Sequence, residues 1–441
     1  MTDPIPALVP NGPGHQFVFY GDSCSGMPGG PNERSHRTVN EVVKRLSPAP
    51  EFIVFPGDEV IGLTNDMAAL RAQWRYWLDE EMAWLDRSRI PLFNATGNHT
   101  TYSAESEAVF AEMLSHLPTN GPDKQNRLSY FVRRSDLLLV FVHTAWSRLG
   151  GEGHVETEWL DEILKANADA RWKLVVGHHP AFPVNGYAGS YARTIGDEYV
   201  GPFWRILRNN GVLAYLCSHI LAFDAQVRDG VLQITSAGAG TVHRMPEEVE
   251  YLHAVQMAID SGGLRYQVLD TAGEVREQLN WPIRPPDGWR RLPHGTASAR
   301  IHDASQVLHL NIKGTLGDQV DGRRQTFLAA RSAGKDHDSL WIGLSGERRL
   351  LTVTLQPLSG RSPHYWFGPE ISSTFDLHLA LHREMGPGGI LLRGRGGTWT
   401  SLGTSSAWGL ERLVWPDEWF VAQDFAGECQ FIGATLEIAK G

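Results

Sequence analysis

The sequence predicts an α/β domain followed by an antiparallel β-sandwich, and three observations support this division. Buried strand-like runs alternate with amphipathic helix-like segments over the first 270 residues, as in a layered α/β domain. Past a proline-rich stretch, short alternating strands separated by glycine-rich turns replace the helices, which is typical of a β-sandwich. The chain of 441 residues is also too long for one core of ordinary size.

The strand that organises the α/β part is Phe52–Phe55, whose four apolar side chains suit burial on both faces of a sheet. A Pro-Gly pair ends this strand, and Asp58 stands on the turn at its carboxyl end. A helix predicted over Val39–Leu46 connects it to an earlier strand that ends near Asp22, so the two strands are parallel. Apolar residues at helical spacing from Met67 to Arg87 predict one long amphipathic helix. Further helices are predicted at Glu156–Ala166 and Phe203–Asn209, and further strands at Leu137–Val142, Val231–Ser236 and Tyr266–Leu269.

We predict four segments along the chain: an irregular lead-in at 1–15, a catalytic domain at 16–280, a proline-rich linker at 281–295 and an accessory β-sandwich at 296–441. The predicted sandwich strands are Val307–Ile312, Leu340–Leu344, Leu350–Leu355, Phe375–Leu381, Ile390–Arg393 and Phe431–Ile438.

Composition excludes several classes of protein. A formal charge of −10 argues against a nucleic-acid binder, which would carry a basic patch. Three widely separated cysteines do not make a disulfide framework. The N-terminus lacks the pattern of a signal peptide, and no apolar run approaches the roughly 20 residues that span a bilayer. We therefore expect a cytoplasmic protein without nucleic-acid or membrane partners.

Polar side chains follow five of the predicted strands, at the point where each strand ends. They are Asp22, Asp58, Asn98, His178 and His219. Ligands of open α/β sheets bind beyond the carboxyl ends of the strands, so these side chains are candidates for one site. Carboxylate, amide and imidazole groups together suit ions such as Fe, Mn or Zn, and one carboxylate can bridge two ions.

His99, next to Asn98, can approach the same space without being a ligand. Its imidazole is a candidate acid for protonating a leaving alkoxide.

The order Gly-Asp, Gly-Asp, Gly-Asn-His, Gly-His-x-Pro and x-His resembles the calcineurin-like metallophosphoesterase superfamily, purple acid phosphatases included, over residues 15–270. The resemblance implies an α/β/β/α sandwich and attack on phosphorus by a metal-bound hydroxide. It implies that Asp58 bridges two metal ions and that Asp22 belongs to the second metal position. The remaining ligands of the first position would be Asn98, His178 and His219. His179 would be a pocket residue, because the family motif uses the first histidine of the pair.

Three positions depart from the family pattern. Cys24 stands where many members have histidine, Leu221 replaces the second histidine of the last motif, and Ile61 occupies the place of the purple acid phosphatases' metal-binding tyrosine. The second metal position could be completed by Cys24, completed by a residue out of register, or empty. The out-of-register candidates are Asp224, His154 and His36.

Three further residues near the predicted site receive non-ligand roles. Glu59, which follows the bridging aspartate, is expected to face solvent from its loop, whereas Tyr102 and His143 are expected to be structural.

The C-terminal segment resembles laminin-G or concanavalin-type sandwiches. Its tail is rich in tryptophan, at Trp399, Trp408, Trp415 and Trp419. These indoles could stack on the sugar rings of a glycan, although tryptophans in sandwiches mostly pack in the core.

We therefore predict a metal-dependent hydrolase, a phosphatase or phosphodiesterase, that cleaves a phosphate mono- or diester with a metal-bound hydroxide at one or two metal ions. The alternative is a weakened or inactive member of the fold whose β-sandwich binds a glycan or a protein partner. Leu221 favours the alternative. The hydrolase is favoured by the intact residues Asp58, Asn98, His99, His178 and His219.

Overall fold

The computed structural model describes the whole chain except residues 1–2, 185–193, 242–249, 298–306, 318–321, 333–338, 357–361, 407–415, 417, 425, 428 and 441. The chain divides into two compact units: the first consists of Met1–Val184, Gly189–Asp224 and Val231–Pro282, and the second is chiefly Ile283–Gly441. Because this division follows spatial contacts, the four segment boundaries set from the sequence stay predictions.

The strands up to Trp281 are β1 (Ile5–Pro6), β2 (His15–Phe19), β3 (Leu46–Ser47), β4 (Phe52–Phe55), β5 (Leu92–Asn94), β6 (Tyr130–Arg134), β7 (Leu137–Phe141), β8 (Trp172–Val176), β9 (Ala214–Cys217), β10 (Phe223–Arg228), β11 (Val231–Ser236), β12 (His253–Asp260), β13 (Gly263–Asp270) and β14 (Val275–Trp281). The helices are α1 (Pro31–Lys44), α2 (Met67–Tyr76), α3 (Ala104–Met113), α4 (Glu158–Ala166) and α5 (Asp197–Asn209).

Two sheets form the centre of the first unit. One has the spatial order β14-β13-β12-β2-β4-β5, and the other contains β11-β9-β8-β7-β6 in that order. Strands β2, β4 and β5 are parallel, as are β7, β8, β9 and β11. Helix α1 packs against the first sheet, and the apolar faces of α4 and α5 share a core with the second. The predicted α/β/β/α sandwich is confirmed.

Helix α1 begins earlier than predicted, at Pro31, and ends at Lys44. Proline suits the first helical position because its missing N–H would have no partner there. The buried side chains Val39, Val42 and Val43 lie along one face of this helix, so the apolar residues of the predicted stretch form its second half.

The prediction of one regular helix from Met67 to Arg87 is wrong beyond Tyr76. There α2 continues as a single π-helical turn, Trp77–Glu81. The Glu81 carboxylate accepts hydrogen bonds from the Gly26 backbone N–H at 2.8 Å and the Ser25 hydroxyl at 2.5 Å. The wider turn therefore ties the helix to the loop that follows β2, a contact that a hydrophobic period does not encode.

The strands of the second unit are β15 (Arg290–Leu292), β16 (Gly295–Ala297), β17 (Val307–Leu316), β18 (Gln325–Arg331), β19 (Leu340–Ser345), β20 (Leu350–Leu355), β21 (His364–Glu370), β22 (Thr374–His382), β23 (Ile390–Gly394), β24 (Thr400–Ser401), β25 (Gly403–Thr404), β26 (Glu418–Val421) and β27 (Gly433–Lys440). They form two sheets, β15-β27-β17-β22-β23-β24 and β16-β26-β18-β19-β20-β21-β25, in which the paired strands are antiparallel.

Side chains from both sheets of the second unit share one apolar core, so the predicted β-sandwich is confirmed. Strand β15 lies inside the stretch predicted as a linker and pairs with β27. Trp399 and Trp419 are buried, which is the core role expected of most such tryptophans, whereas Trp408 and Trp415 lie outside the described residues. Within the described part of the chain, no helix combines the length and apolar character that crossing a membrane requires.

Candidate metal centre

The parallel strands deliver their polar side chains to a common edge of the sandwich. Asp22, Asp58 and Asn98 follow β2, β4 and β5 of one sheet, while His178 and His219 follow β8 and β9 of the other. The carboxyl ends of parallel strands lie at the same edge of a sheet, so the two sets of turns can meet.

Four of the predicted ligands converge on one point. The Nε2 atom of His178 lies 3.2 Å from Asp58 Oδ2 and 3.0 Å from Asn98 Oδ1. The Nδ1 atom of His219 lies 3.0 Å from Asn98 Oδ1 and 3.1 Å from His178 Nε2. All four side chains are buried, and two of the four atoms are oxygens that only accept hydrogen bonds. A cation satisfies such a set of converging acceptors better than one or two shared protons.

A hydrogen bond to the Pro56 carbonyl oxygen sets the tautomer of His178. Its Nδ1 atom lies 2.9 Å from the Pro56 carbonyl oxygen, which can only accept, so Nδ1 carries a proton. In the neutral ring the Nε2 lone pair then points at the other donors, as in metal-binding histidines. The Asn98 amide is oriented in the same way, because its Nδ2 donates to Glu152 Oε1 at 3.0 Å and turns Oδ1 toward the histidines.

The pKa shifts of His178 and Asp58 indicate that the cluster stabilises a positive charge. Burial opposes the charged form of His178, but the Asp58 carboxylate outweighs burial and raises the pKa of His178 to about 9. Burial likewise opposes ionisation of Asp58, yet His178 and His99 outweigh it and lower the pKa of Asp58 to about 2. The protein thus places a positive charge among these ligands even without an ion, and the donor set fits a divalent cation.

Asp22 and Cys24 lie close enough to Asp58 to interact with it electrostatically. Asp22 Oδ2 accepts the backbone N–H of His219 at 3.0 Å, and burial raises the pKa of Asp22 to about 6. A ligand atom of Cys24, one of Asp58 and one of His99 lie within 4.8 Å of one another. Burial, followed by the nearby carboxylates, raises the pKa of the Cys24 thiol well above its usual value, so a thiolate there requires a neighbouring cation.

His99, predicted to be a proton donor, is held beside Asp58 by two hydrogen bonds. Its backbone N–H donates to Asp58 Oδ1 at 2.9 Å, and its Nδ1 lies 2.7 Å from the Ile61 carbonyl oxygen. Because the Ile61 carbonyl oxygen can only accept a hydrogen bond, Nδ1 carries the ring proton and Nε2 is left unprotonated in the neutral ring.

Glu152, which was not among the residues predicted for the site, lies in a glycine-rich loop well beyond the end of β7. Ligand atoms of Glu152, His179 and His219 lie within 4.8 Å of one another. His179 is buried, and its Nδ1 lies 2.8 Å from the Thr144 hydroxyl, which fixes the ring beside His219. The run Gly-Gly-Glu-Gly was the only signal for Glu152 in the sequence.

The expectation that Glu59 faces solvent is wrong, because this side chain is fully buried. Its Oε1 accepts the Asn94 side-chain N–H at 2.8 Å, and burial raises the pKa of Glu59 to about 8. The backbone carbonyl of Glu59 accepts from Ser23 and Ser25, so the residue anchors the turn that carries Asp58.

None of the three out-of-register candidates joins a ligand cluster among the described residues. His36 is paired with Glu81 at 2.8 Å and stacked on Trp77. His154 bonds the Glu152 backbone carbonyl instead, at 2.9 Å.

Tyr102 and His143 have the structural contacts expected of them. The Tyr102 hydroxyl bonds the Thr64 backbone, and His143 lies between Thr96 and Glu107. Leu221 is buried at the position where the family motif has its second histidine.

Comparison with known proteins supports the same fold. Residues 15–223 match the family model described as calcineurin-like phosphoesterase. No protein with a curated description matches the chain.

Three solved structures illustrate the likeness. GAP50 of Plasmodium, an anchor in the inner membrane complex, is 15% identical over 62% of this chain and 90% of its own, with a TM-score of 0.42. Purple acid phosphatase PPD1 of yellow lupin is 13% identical over 60% of this chain and 53% of its own, with a TM-score of 0.45. A putative 5'-nucleotidase of Staphylococcus aureus is 12% identical over 58% of this chain and 54% of its own, with a TM-score of 0.37. The chain thus spans about half the length of the latter two proteins.

Proposed function

We propose that the protein is a metal-dependent hydrolase of phosphate mono- or diesters, because residues 15–223 match the family model described as calcineurin-like phosphoesterase. The observation that carries the proposal is the convergence of Asp58, Asn98, His178 and His219, whose four donor atoms meet at distances of 3.0–3.2 Å.

In this proposal the side chains have distinct roles. Those four residues hold one ion, and Asp22, Cys24 and Asp58 form a second, weaker position. A bound Fe, Mn or Zn ion would supply Lewis-acid polarisation of a phosphoryl oxygen. Pro56 and Glu152 orient the donor atoms of His178 and Asn98 through their hydrogen bonds. Such orientation avoids a reorganisation cost when the substrate binds.

His99 is the proton donor to the leaving oxygen. Ile61 and the Asp58 carboxylate fix the ring and the backbone of His99, so that Nε2 alone remains for proton exchange. His179, buried beside His219, forms part of the wall of the substrate pocket.

Hydrolysis of p-nitrophenyl phosphate and bis-p-nitrophenyl phosphate by the metal-loaded protein tests the proposal. We expect Asn98→Ala to lower kcat/KM about 100-fold, because it removes the metal-binding oxygen Oδ1 and the hydrogen bond to Glu152. Asn210→Ala is the matched control, since its amide donates to Asp161 at 2.9 Å, in a contact that includes no predicted ligand. Equal rates for the two variants, or no turnover of either ester by the wild-type protein, would refute the proposal.

The alternative function is a weakened domain that binds without turnover, and the buried Leu221 favours it. One ion per chain together with no hydrolysis of either ester would support this alternative. One ion with hydrolysis that Asn98→Ala abolishes would support single-metal chemistry. The glycan-binding role expected for the tryptophan-rich tail is not supported by Trp399 or Trp419, since a buried indole has no face to offer a sugar.

A further inference from the structure

The first sheet of the second unit carries a polar cluster on its outer face. Along β17, Leu310 and Ile312 are buried in the sandwich core, so the alternate residues Asn311 and Lys313 point away from it. The strand register places Lys313 opposite Asp376 and Asn311 opposite His378. On the next strand, Arg393 stands opposite His378.

These side chains line a cavity of about 410 Å³, together with Trp289 and the glycine-rich turn that carries Arg395. Small-molecule sites commonly occupy about 300–1,000 Å³, so this cavity suits a ligand of one or two rings.

The cavity is positively charged although the chain as a whole carries a formal charge of −10. Its lining contains three cations, Lys313, Arg393 and Arg395, and one carboxylate, Asp376. Lys313 and Asp376 pair at 3.1 Å, which leaves the two arginines as the uncompensated charges of the lining. A guanidinium binds a carboxylate or sulfate through two parallel hydrogen bonds.

His378 stays neutral and holds the arginine in place. Arg393 Nε donates to His378 Nδ1 at 3.0 Å, so the ring proton of His378 sits on Nε2, 3.0 Å from His309 Nδ1. The Arg393 guanidinium also lies over the Trp399 ring at 4.5 Å. Burial, followed by Arg393, lowers the pKa of His378 to about 3, in agreement with a neutral ring.

One aromatic surface in the cavity is accessible. Trp289 is 42% exposed and lies 5.0 Å from the His378 ring, with the planes at 74°. An exposed indole face offers a flat apolar surface to the face of a sugar ring.

We propose that this cavity, made by Trp289, Asn311, Asp376, Arg393 and Arg395, binds a short saccharide that carries a carboxylate or sulfate group. The arginines bind the anionic group, and Trp289 packs against a sugar ring. Asn311 and Asp376 line the same cavity, where the Asp376 carboxylate can accept hydrogen bonds from hydroxyl groups. A free anion would use only the arginines, so the neighbouring acceptors and the exposed indole favour an acidic sugar. This inference does not rest on the hydrolase function.

The test is titration calorimetry of the full chain with three disaccharides of one linkage: neutral, glucuronate-containing and sulfated. We expect both acidic disaccharides to bind, and the neutral one to bind at least about tenfold more weakly. Trp289→Ala and Arg395→Ala should each weaken binding about tenfold or more. Tyr365→Ala is the matched control, since that ring is 41% exposed on the other sheet of the same unit. Binding of only one acidic disaccharide would identify which anionic group the arginines recognise and still supports the proposal.

Three results would overturn the inference. Binding of inorganic sulfate as tightly as the sulfated disaccharide, with no effect of Trp289→Ala, would show that the cavity is an anion site only. AMP binding more tightly than either acidic disaccharide would indicate a nucleotide site. Absence of binding by all three disaccharides at about 10 mM, a concentration above ordinary weak dissociation constants, would show that the cavity is not a saccharide site. Thermal melting of each variant confirms that it is folded.

Discussion

Gly97 provides a sharp test of the centre, because the Asp58 carboxylate packs directly on it. A Cβ atom placed at Gly97 would lie 2.1 Å from Asp58 Oδ1 and 2.4 Å from the Asp58 backbone nitrogen. Ordinary contacts begin at 3.4 Å, so Gly97→Ala must push the two turns apart by about 1.3 Å. Misplacing a reacting group by about 1 Å can cost about 100-fold in rate. We therefore expect kcat/KM to fall at least about 100-fold, equivalent to about 2.7 kcal/mol.

Metal affinity and ester hydrolysis are measured for Gly97→Ala in parallel with Gly201→Ala. A Cβ at Gly201 meets nothing within 4 Å, and neither glycine has the positive φ that would make alanine strained on its own account. Melting curves show whether Gly97→Ala is folded. Folded Gly97→Ala with wild-type metal affinity and wild-type rates would refute the placement of Asp58 at the centre.

Three further predictions concern other parts of the molecule. Leu221→His supplies the missing imidazole and is expected to tighten binding of the second ion, as measured by mass spectrometric metal analysis over a range of metal concentrations; an unchanged affinity would show that Leu221 is not what limits the second position. Glu152→Ala should lower the affinity for the first ion about 10- to 100-fold, because it frees the Asn98 amide. Glu152→Gln keeps an acceptor oxygen and should lower this affinity less; equal losses of affinity would contradict the orienting role. Burial lowers the pKa of His309 and His382 to about 4, so their neutral forms stabilise the fold above about pH 6.5 and this stability is lost as the pH falls toward 4. Thermal melts followed by tryptophan fluorescence should show that the melting temperature of His382→Asn falls less between pH 6.5 and 4 than that of the wild-type protein. Parallel pH dependences of the two proteins would contradict this.

The candidate metal ligands could be identified from the sequence because each one is encoded locally. A buried apolar run such as Phe52–Phe55 identifies a parallel strand, and the polar residue after it is placed at the sheet edge by the geometry of that strand. The prediction needed no knowledge of which strands are neighbours, since all carboxyl ends of parallel strands share one edge.

The features that the sequence did not reveal depend on contacts between distant segments. Glu152 reaches Asn98 from a loop without hydrophobic period, and the buried Glu59 carboxylate accepts a hydrogen bond from the Asn94 side chain of the neighbouring strand. In the second unit, the alternation along β17 marks Asn311 and Lys313 as outward-facing. The order of the strands beside them, which creates the cavity, follows only from the folded sheet.

The backbone of Cys24 has a strained, positive φ angle, which argues that Cys24 is not an incidental loop residue. Positive φ angles are rare outside glycine and cost about 1–2 kcal/mol, yet Asp22, Cys24, Asp58 and His219 all adopt them, at 63°, 39°, 56° and 68°. Hydrogen bonds between the turns hold this conformation, since the Cys24 N–H donates to the Asp58 carbonyl at 2.7 Å and the Asp22 N–H to that of Gly57 at 3.2 Å. Three of these positions carry predicted ligands, so their side chains cannot be exchanged for glycine without loss of a donor.

If the Cys24 thiol is a ligand, replacing Cys24 by glycine should likewise relieve backbone strain at the cost of a metal-binding group. Cys24→Gly removes the strain and is expected to raise the melting temperature of the metal-free protein, while it weakens binding of the second ion. Leu63→Gly is the matched control: Leu63 has a φ of 48° but is 56% exposed, so the substitution should stabilise the protein without changing metal binding. If Cys24→Gly gains stability and binds both ions as the wild-type protein does, the strained turn serves only to position Asp22 and Asp58, and the thiol is not a ligand.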